Sequence, residues 1–154
     1  MTDDPTARAR ADAAERGLEI EVRERPPARS LAEAAAGLGV EQAALVKTLV
    51  VRRGDDDHLF VLVPGDRTIS WPRLREAVGA NRLSMPDASV ARAATGYERG
   101  TITPLGSTTA WPVYADSRIG GRIALGSGSH GHGVLVDAAA LLTALDATVV
   151  DLSD

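Results

Sequence analysis

Hydrophobic positions recur along the chain in two ways, and each way predicts one kind of element. Runs that alternate apolar with polar residues, or that are rich in β-branched side chains, predict strands, whereas apolar residues three or four positions apart predict helices. The strand-like segments are residues 18–22, 45–53, 58–63, 113–115, 123–125, 134–136 and 148–152. The helix-like segments are residues 5–16, 31–38, 72–78, 87–94 and 138–145. We therefore predict one α+β domain over residues 1–154, with a mixed, curved, barrel-like β-sheet flanked by helices.

Cap and turn residues separate these segments. Ser30-Leu31-Ala32-Glu33 has the spacing of a capping box and marks the start of the second helix. The polar run Gly54–Asp57 predicts a hairpin turn between two strands. Residues 95–112 are rich in Gly, Thr, Ser and Pro and are too long for a simple connector. Because long loops on a rigid scaffold often carry function, this segment is a candidate part of a site.

The composition excludes several classes of chemistry. The 154 residues are 44% hydrophobic and include no cysteine, which excludes disulfides, thiolate nucleophiles and cysteine-based zinc sites. The formal net charge of −4 disfavours a protein that coats nucleic acid through a general positive surface. No stretch approaches the roughly 20 apolar residues of a spanning helix, and Met1–Pro5 does not begin a signal peptide. We expect a soluble, cytoplasmic protein with no membrane or DNA partner.

Lys47 is the single lysine among 17 basic residues, and all the others are arginine. Such a bias is typical of a coding sequence rich in G and C, in which arginine replaces lysine wherever either serves. A retained lysine indicates a pocket that needs a compact ammonium with three donors and rejects the broader guanidinium. Chance retention is the alternative.

The segment Gly126-Ser127-Gly128-Ser129-His130-Gly131 matches the G-x-G-x-x-G pattern of dinucleotide-binding proteins. That pattern requires a helix that starts within the glycines, but the strand-like segment 134–136 follows here. We therefore expect either a plain β-hairpin turn or a turn whose exposed amides cradle an anion or an oxyanion.

The histidines and tryptophans give weak signals. His130 and His132 have the spacing of two metal ligands on one side of a strand, with an aspartate as a third, but so few ligands predict no metal site. His58 follows three aspartates and is expected in solvent. Trp71 and Trp111 are expected to pack in or beside the core rather than to stack on bases. A serine hydrolase is disfavoured because the chain has no G-x-S-x-G elbow.

Four segments occur in an order and at spacings that are specific when taken together. They are Val46-Lys47-Thr48-Leu49-Val50, Val63-Pro64-Gly65-Asp66, Thr95-Gly96-Tyr97 with residues 100–106, and the turn 126–131. Over about residues 28–150 the chain resembles the YbaK/EbsC family. These are aminoacyl-tRNA editing domains related to the insertion domain of bacterial prolyl-tRNA synthetase.

The resemblance implies a free-standing, metal-independent hydrolase without a cofactor. It would cleave the ester that joins a wrong amino acid to the 3′ end of a tRNA, most often tRNA(Pro), and a prolyl-tRNA synthetase is an expected partner. Lys47 corresponds to the functional lysine of the family and takes the catalytic role. The residues that the resemblance assigns to substrate binding are Gly96, Tyr97, Gly100, Thr103, Pro104, Gly126, Ser127 and Gly128.

The expected chemistry is modest because an aminoacyl ester is already activated. Its hydrolysis needs positioning and stabilisation of a developing oxyanion rather than a strong base. We expect charged Lys47 to bind the terminal phosphate or the ester carbonyl and the amides of residues 126–128 to support the oxyanion, while water or a ribose hydroxyl attacks. Affinity for tRNA is expected to be modest and salt-sensitive. The arginines expected to contribute are Arg8, Arg10, Arg52, Arg53 and Arg99.

Two departures from the family pattern leave the acyl group open. Relatives that act on cysteinyl-tRNA can carry an acidic residue shortly after the glycine turn, where this chain has Gly133. The histidine at the entry to the first helix of the family is missing, and Arg25-Pro26-Pro27 lies nearby. Small residues around the pocket suit alanine, serine or cysteine. A non-catalytic module that binds a tRNA 3′ end or a nucleotide is the alternative function.

Overall fold

The computed structural model describes residues 5–154, so the expectation that the first four residues begin no signal peptide lies outside the described residues. The described helices are α1 (Pro5–Glu15), α2 (Leu31–Gly37), α3 (Trp71–Val78), α4 (Ala88–Thr95) and α5 (Ala138–Ala144). The described strands are β1 (Glu21–Glu24), β2 (Val46–Gly54), β3 (Asp57–Pro64), β4 (Val113–Asp116), β5 (Arg122–Gly126), β6 (His132–Asp137) and β7 (Thr148–Val150). Each predicted helix and strand is confirmed, with ends that shift by up to three residues. A short 3-10 turn, Gln42–Ala44, was not predicted.

The strands form two sheets, and the α+β class is confirmed. One sheet is antiparallel with the order β1-β6-β5, and the other is mixed with the order β2-β3-β4-β7. The prediction of a single barrel-like sheet is wrong, because within residues 5–154 no continuous ladder of backbone hydrogen bonds joins the two sheets. An isolated parallel bridge between Leu45 and Ala124 joins them instead.

The main core lies between the two sheets. Strand β3 is apolar on both of its faces because each face packs against a different part of the core. Phe60 and Leu62 point into the core between the sheets, whereas Val61 and Val63 pack on the opposite face against Leu74 of α3. Because β3 is covered on both sides, its sequence reads as a continuous apolar run rather than an alternation.

The predicted cap of α2 is present with one change. The Ser30 hydroxyl accepts a hydrogen bond from the Glu33 amide at 3.1 Å, as a capping box requires. The Glu33 carboxylate reaches the amide of Arg29 at 2.7 Å rather than that of Ser30. The start of α2 is therefore fixed from both sides of the cap.

The chain end is held by a buried carboxylate on β4. Asp116 accepts hydrogen bonds from the amide of Leu152 at 2.8 Å, the hydroxyl of Ser153 at 2.9 Å and the amide of Arg118 at 3.0 Å. Burial raises the pKa of the Asp116 carboxyl, but these hydrogen bonds and the charge of Arg118 outweigh it and lower that pKa below its usual value. Asp116 is therefore charged and stabilising at neutral pH.

His58 lies in the core, so the expectation that it is solvated is wrong. Its side chain is 3% exposed, and its ring packs edge-on against Trp111 with ring centroids 5.1 Å apart. Asp55 and Asp56 form the turn, whereas Asp57 and His58 already belong to β3. Trp111 packs beside the core, as predicted, and donates from Nε1 to the carbonyl of Ala94 at 2.9 Å.

Candidate functional site

A cavity of about 790 Å³ opens along the outer edge of β2. Its walls come from β2, the two ends of α2, the loop around Gly100, the ends of β5 and β6 that flank their turn, and the start of α4 with the segment before it. Its leucines are Leu31, Leu38, Leu45, Leu49 and Leu125. Its groups with a fixed charge are Arg25, Lys47, Asp87 and Arg99. The cavity is therefore apolar on one side and carries more positive than negative charge, although the whole chain is acidic.

The outer edge of β2 remains open between its two ends. Arg52 exchanges two backbone hydrogen bonds with Ser84 on that side, at 2.7 and 3.1 Å. Because backbone groups alternate in direction along a strand, those of Thr48 and Val50 face the same outer side as those of Arg52. The hydroxyl oxygen of Thr48 is buried and has no hydrogen-bond partner within residues 5–154. This edge therefore offers backbone donors and acceptors to a ligand in the cavity.

Lys47 lies on β2 at the cavity wall and is half-buried. Its Nζ donates a hydrogen bond of 2.6 Å to the backbone carbonyl of Arg67. The side chain of Arg67 is itself fixed, since its Nε donates to the Ser153 hydroxyl at 2.8 Å. An ammonium has three donors, so this bond orients Lys47 and leaves two N–H groups for a ligand.

Gly100 and Gly126 bring the long loop and the glycine turn together at the cavity. A Cβ atom on Gly126 would lie 2.5 Å from the carbonyl oxygen of Ile102, so only glycine allows this approach. The amide of Gly128 donates to the carbonyl of Thr101 at 2.8 Å. Lys47, Gly100 and Gly126, which the sequence places far apart, therefore line one cavity.

Ser127 and Gly128 shape the turn and do not line the cavity. The buried Ser127 hydroxyl lies 3.0 Å from the carbonyl oxygens of Ser129 and His132 and accepts from the Ser129 amide at 3.2 Å. The Gly128 amide already donates a hydrogen bond to the carbonyl of Thr101, so it is not available to an oxyanion. After Gly131 the chain continues as β6, which confirms that this segment is a hairpin turn and not a dinucleotide fingerprint.

The other four residues assigned to substrate binding belong to the long loop but do not line the cavity. Gly96 ends α4 in a left-handed conformation. Tyr97 is 1% exposed, and its hydroxyl donates to the carbonyl of Leu105 at 2.7 Å. Thr103 accepts from the Leu105 amide at 3.3 Å, and Pro104 borders a different cavity. These positions support the conformation of residues 96–106.

Helix α1 holds the same loop from the other side. The guanidinium of Arg8 donates to the carbonyl of Gly96 at 2.8 Å and lies 4.5 Å above the Tyr97 ring. The carboxylate of Asp12 accepts from the amide of Gly106 at 2.8 Å. Helix α1, whose Arg8 was expected to contact tRNA, therefore positions a loop of the candidate site.

Two features of the cavity were missed in the sequence. Arg25 lies on the wall because its amide donates to the carbonyl of Gly131 at 2.7 Å, a contact that joins distant segments. Leu38 fills the space beside Gly133, where an added Cβ would lie 2.8 Å from the leucine Cδ1. Gly133 indicated a departure from the family pattern in the sequence. That Leu38 fills the space beside it is visible only in the fold.

His130 and His132 have different surroundings. His130 is exposed and its Nε2 lies 3.1 Å from a carboxylate oxygen of Glu98, whereas His132 lines the cavity. In residues 5–154 no group of three or more histidine, aspartate or glutamate side chains is arranged to hold a metal ion. Over the same residues no helix has the length and apolar character needed to cross a bilayer.

Comparison with known proteins agrees with this fold. Residues 25–144 match the family described as the aminoacyl-tRNA editing domain, and the chain therefore belongs to that family. Its relatives are of the YbaK/EbsC type and include prolyl-tRNA synthetases, which confirms the resemblance predicted from the motifs.

Three relatives illustrate the similarity. The proline–tRNA ligase of Shouchella clausii is 36% identical over 115 residues, which are 73% of this chain and 20% of the ligase. A protein of Enterococcus faecalis, named as a candidate Cys-tRNA(Pro)/Cys-tRNA(Cys) deacylase EbsC, is 31% identical over 87 residues, which are 56% of this chain and 51% of that protein. A crystal structure described as a candidate trans-editing enzyme for prolyl-tRNA synthetase superposes with a TM-score of 0.89 at 25% identity, covering 100% of this chain and 99% of that one. The matched region thus amounts to a fifth of the ligase and about half of the Enterococcus protein.

Proposed function

We propose that the protein hydrolyses the ester of a mischarged tRNA in trans, and that tRNA(Pro) is its substrate. The observation that carries the proposal is the meeting of Lys47, Gly100 and Gly126 around one cavity with an apolar side and a cationic side. The relatives named for prolyl-tRNA and for Cys-tRNA(Pro) support the choice of tRNA.

The open edge of β2 suits the terminal adenosine. Adenine presents an acceptor at N1 beside a donor at N6, and single-stranded RNA ends are commonly read through such base edges. Outward backbone groups of Thr48 and Val50 supply a donor and an acceptor in close succession. We infer that the base lies along this edge, with the ribose ester directed toward Lys47.

Lys47 is proposed to act as a positively charged donor rather than as a base. Two of its N–H groups remain after the bond to Arg67, and they can stabilise the oxygen on which negative charge develops. The Gly128 amide cannot share this role because it is bound to Thr101, so more of the stabilisation falls on Lys47. Water would attack the ester carbon, the bond to the ribose oxygen would break, and that oxygen would take up the proton, so that the free amino acid and the tRNA are released.

The apolar side of the cavity supports a small, uncharged acyl group. The lining leucines offer no partner to a charged side chain. Leu38 occupies the space beside Gly133, so the acyl group has no polar contact there. Alanine, serine and cysteine meet these conditions.

The experiment is deacylation of tRNA(Pro) charged with alanine, serine, cysteine or proline, using the wild type and Lys47→Ala. We expect faster release of at least one of the small wrong amino acids, little release of proline, and loss of activity in the variant. Binding of these tRNAs without acceleration on any acyl group would contradict the proposal and favour a non-catalytic tRNA-end module.

A further inference from the structure

Arg25 and Arg99 differ from most other arginines because, within residues 5–154, their guanidinium groups have no hydrogen-bond or ion-pair partner. Arginines on the surface are commonly paired here, as in the ion pairs of Arg16 with Asp12 and Arg53 with Asp57. The arginines whose side chains make no hydrogen bond or ion pair within residues 5–154 are Arg10, Arg25, Arg29, Arg75, Arg82, Arg92 and Arg99. Of these, only Arg25 and Arg99 line the cavity along β2.

The fold thereby narrows the set of arginines expected to contact tRNA. Arg8 is engaged with Gly96 and the Tyr97 ring, and Arg52 is paired with Asp55. Arg53 is paired with Asp57, and the exposed Arg10 lies away from the cavity lining. Arg99 is therefore the one expected arginine on the cavity wall, and Arg25, which directly follows β1, joins it.

The backbones that carry these two arginines are fixed to each other. The Arg25 amide donates to the carbonyl of Gly131, and the Thr101 amide donates to the carbonyl of Glu98 at 3.0 Å. The Gly128 amide bonds to Thr101, which joins the glycine turn to the loop. Both guanidinium groups therefore extend from rigid backbone while their donors remain available.

The nearby carboxylates do not neutralise this pair. Glu98 lies 3.1 Å from His130, and Asp87 is the single carboxylate among the residues that line the cavity. A guanidinium presents a planar fork of donors that matches the oxygens of a phosphate. Two guanidinium groups that line the cavity and have no partner within residues 5–154 thus favour an anionic, phosphate-bearing ligand.

We propose that Arg25 and Arg99 form a phosphate subsite that binds the phosphodiester groups next to the terminal adenosine of a single-stranded tRNA end. This inference rests on the proposed function, since it assumes that the adenosine enters the cavity. The two arginines hold the RNA strand in register and so place the ester near Lys47.

The test uses an RNA minihelix that carries no amino acid, has a single-stranded CCA end and is fluorescently labelled at its 5′ end. Its affinity for the full protein is measured by anisotropy from 50 to 200 mM KCl. Loss of one phosphate contact to single-stranded RNA lowers the slope of log affinity against log salt by about 0.7. We expect that change for Arg25→Ala and for Arg99→Ala, and about twice that change for the double variant.

Matched variants make the result specific. Arg25→Lys and Arg99→Lys should retain the salt slope, because they keep the charge, while binding more weakly than the wild type. Arg10→Ala removes an unpaired, exposed arginine outside the cavity and should change neither slope nor affinity. A minihelix without the CCA nucleotides should bind the wild type and the two alanine variants equally.

Two results would overturn the subsite. One is an unchanged salt slope in Arg25→Ala and Arg99→Ala, and the other is an equal effect of these variants on the minihelix without CCA. Deacylation by the wild type is measured in parallel. If the ester is hydrolysed but the slopes do not change, the subsite alone fails. If no acyl group is released, the proposed function fails, whatever the slopes.

Discussion

The ammonium of Lys47 donates a 2.6 Å hydrogen bond to the backbone carbonyl of Arg67. Lys47 lies on β2, and Arg67 follows the turn after β3, where its side chain is bound to Ser153 near the end of the chain. The position of the ammonium is therefore set by three segments at once. Such fixing matters because a donor contributes most when it is already aimed at the place where charge develops.

Replacing Lys47 should abolish activity whether or not the charge is kept. Arginine cannot place its broad fork where the compact ammonium meets the Arg67 carbonyl, so Lys47→Arg should lose nearly as much deacylation rate as Lys47→Ala. For both variants we expect the rate constant of deacylation, measured under single-turnover conditions, to fall on the order of 100-fold or more. Arg10→Lys, the reverse exchange on the exposed side of α1, serves as the control. A Lys47→Arg enzyme close to wild-type rate would contradict the role of Lys47.

The contact between Gly126 and the long loop should not tolerate a methyl group. A Cβ atom at this position would lie 2.5 Å from the carbonyl oxygen of Ile102 and 2.9 Å from that of Thr101, both of which are backbone atoms. We expect Gly126→Ala to lower the free energy of unfolding by about 1–3 kcal/mol, as overpacking does, and to reduce deacylation. Urea denaturation and initial rates measure the two effects.

Gly120→Ala provides the matched control for that substitution. Gly120 also lacks a left-handed backbone conformation, and an added Cβ there meets no atom within 4 Å. We expect nearly wild-type stability and activity in this variant. Equal losses at both positions would mean that the close approach at Gly126 is not the cause.

Helix α1 should influence substrate binding through the loop that it holds. Asp12→Ala removes the acceptor for the Gly106 amide and the ion pair with Arg16. We expect a higher KM with a smaller change in kcat, because the loop loses its position while Lys47 keeps its own. Asp12→Asn retains an oxygen for the Gly106 amide and should restore much of the KM. Glu15→Ala, an exposed change on the same helix, should leave KM unaltered.

Local sequence signals predicted the elements, whereas the site depended on contacts between distant segments. The hairpin around residues 54–57 and the stop of α4 at Gly96 are encoded by adjacent residues, and both are present. The single lysine and the overlong loop correctly indicated two walls of one cavity. His58 was misjudged because its neighbours in sequence are polar, whereas its side chain is buried and its ring packs against Trp111. Arg25 gave no signal, since its place on the wall results from a bond to Gly131 across the sheet.

Leu38 and Gly133 should behave as a coupled pair. Gly133→Ala pushes a Cβ to 2.8 Å from Leu38 Cδ1, and Leu38→Ala removes the atoms that it meets. Leu38→Ala alone should cost about 2–5 kcal/mol of stability through the cavity that it leaves. The double variant should be less destabilised than the sum of the two single variants, by about 0.5 kcal/mol or more. Strict additivity in urea unfolding would show that the two residues do not share this space.

The Asp116 carboxylate should stabilise the fold in a pH-dependent way. Its pKa is lowered in the folded chain, although burial acts against this, because the amides of Leu152 and Arg118, the Ser153 hydroxyl and the Arg118 charge favour the ionised form. A carboxyl with a lowered folded pKa contributes stability above its unfolded value of 3.8, and the contribution is lost as the pH falls through the folded pKa. Wild-type stability should therefore fall on acidification below about pH 4.

Comparison with Asp116→Asn isolates that contribution. The variant removes a charged acceptor from buried donors and should lose about 2 kcal/mol at pH 7, as measured by urea unfolding. The difference from wild type should stay constant between about pH 5 and 7 and shrink below about pH 4, because the carboxyl of the unfolded wild-type chain takes up a proton there, before that of the folded chain does. Asp146→Asn changes an exposed aspartate whose left-handed backbone conformation asparagine tolerates, so it controls for the substitution itself. A gap between wild type and Asp116→Asn that widens with acid would contradict the assignment, because it would mean that the neutral carboxyl is the stabilising form.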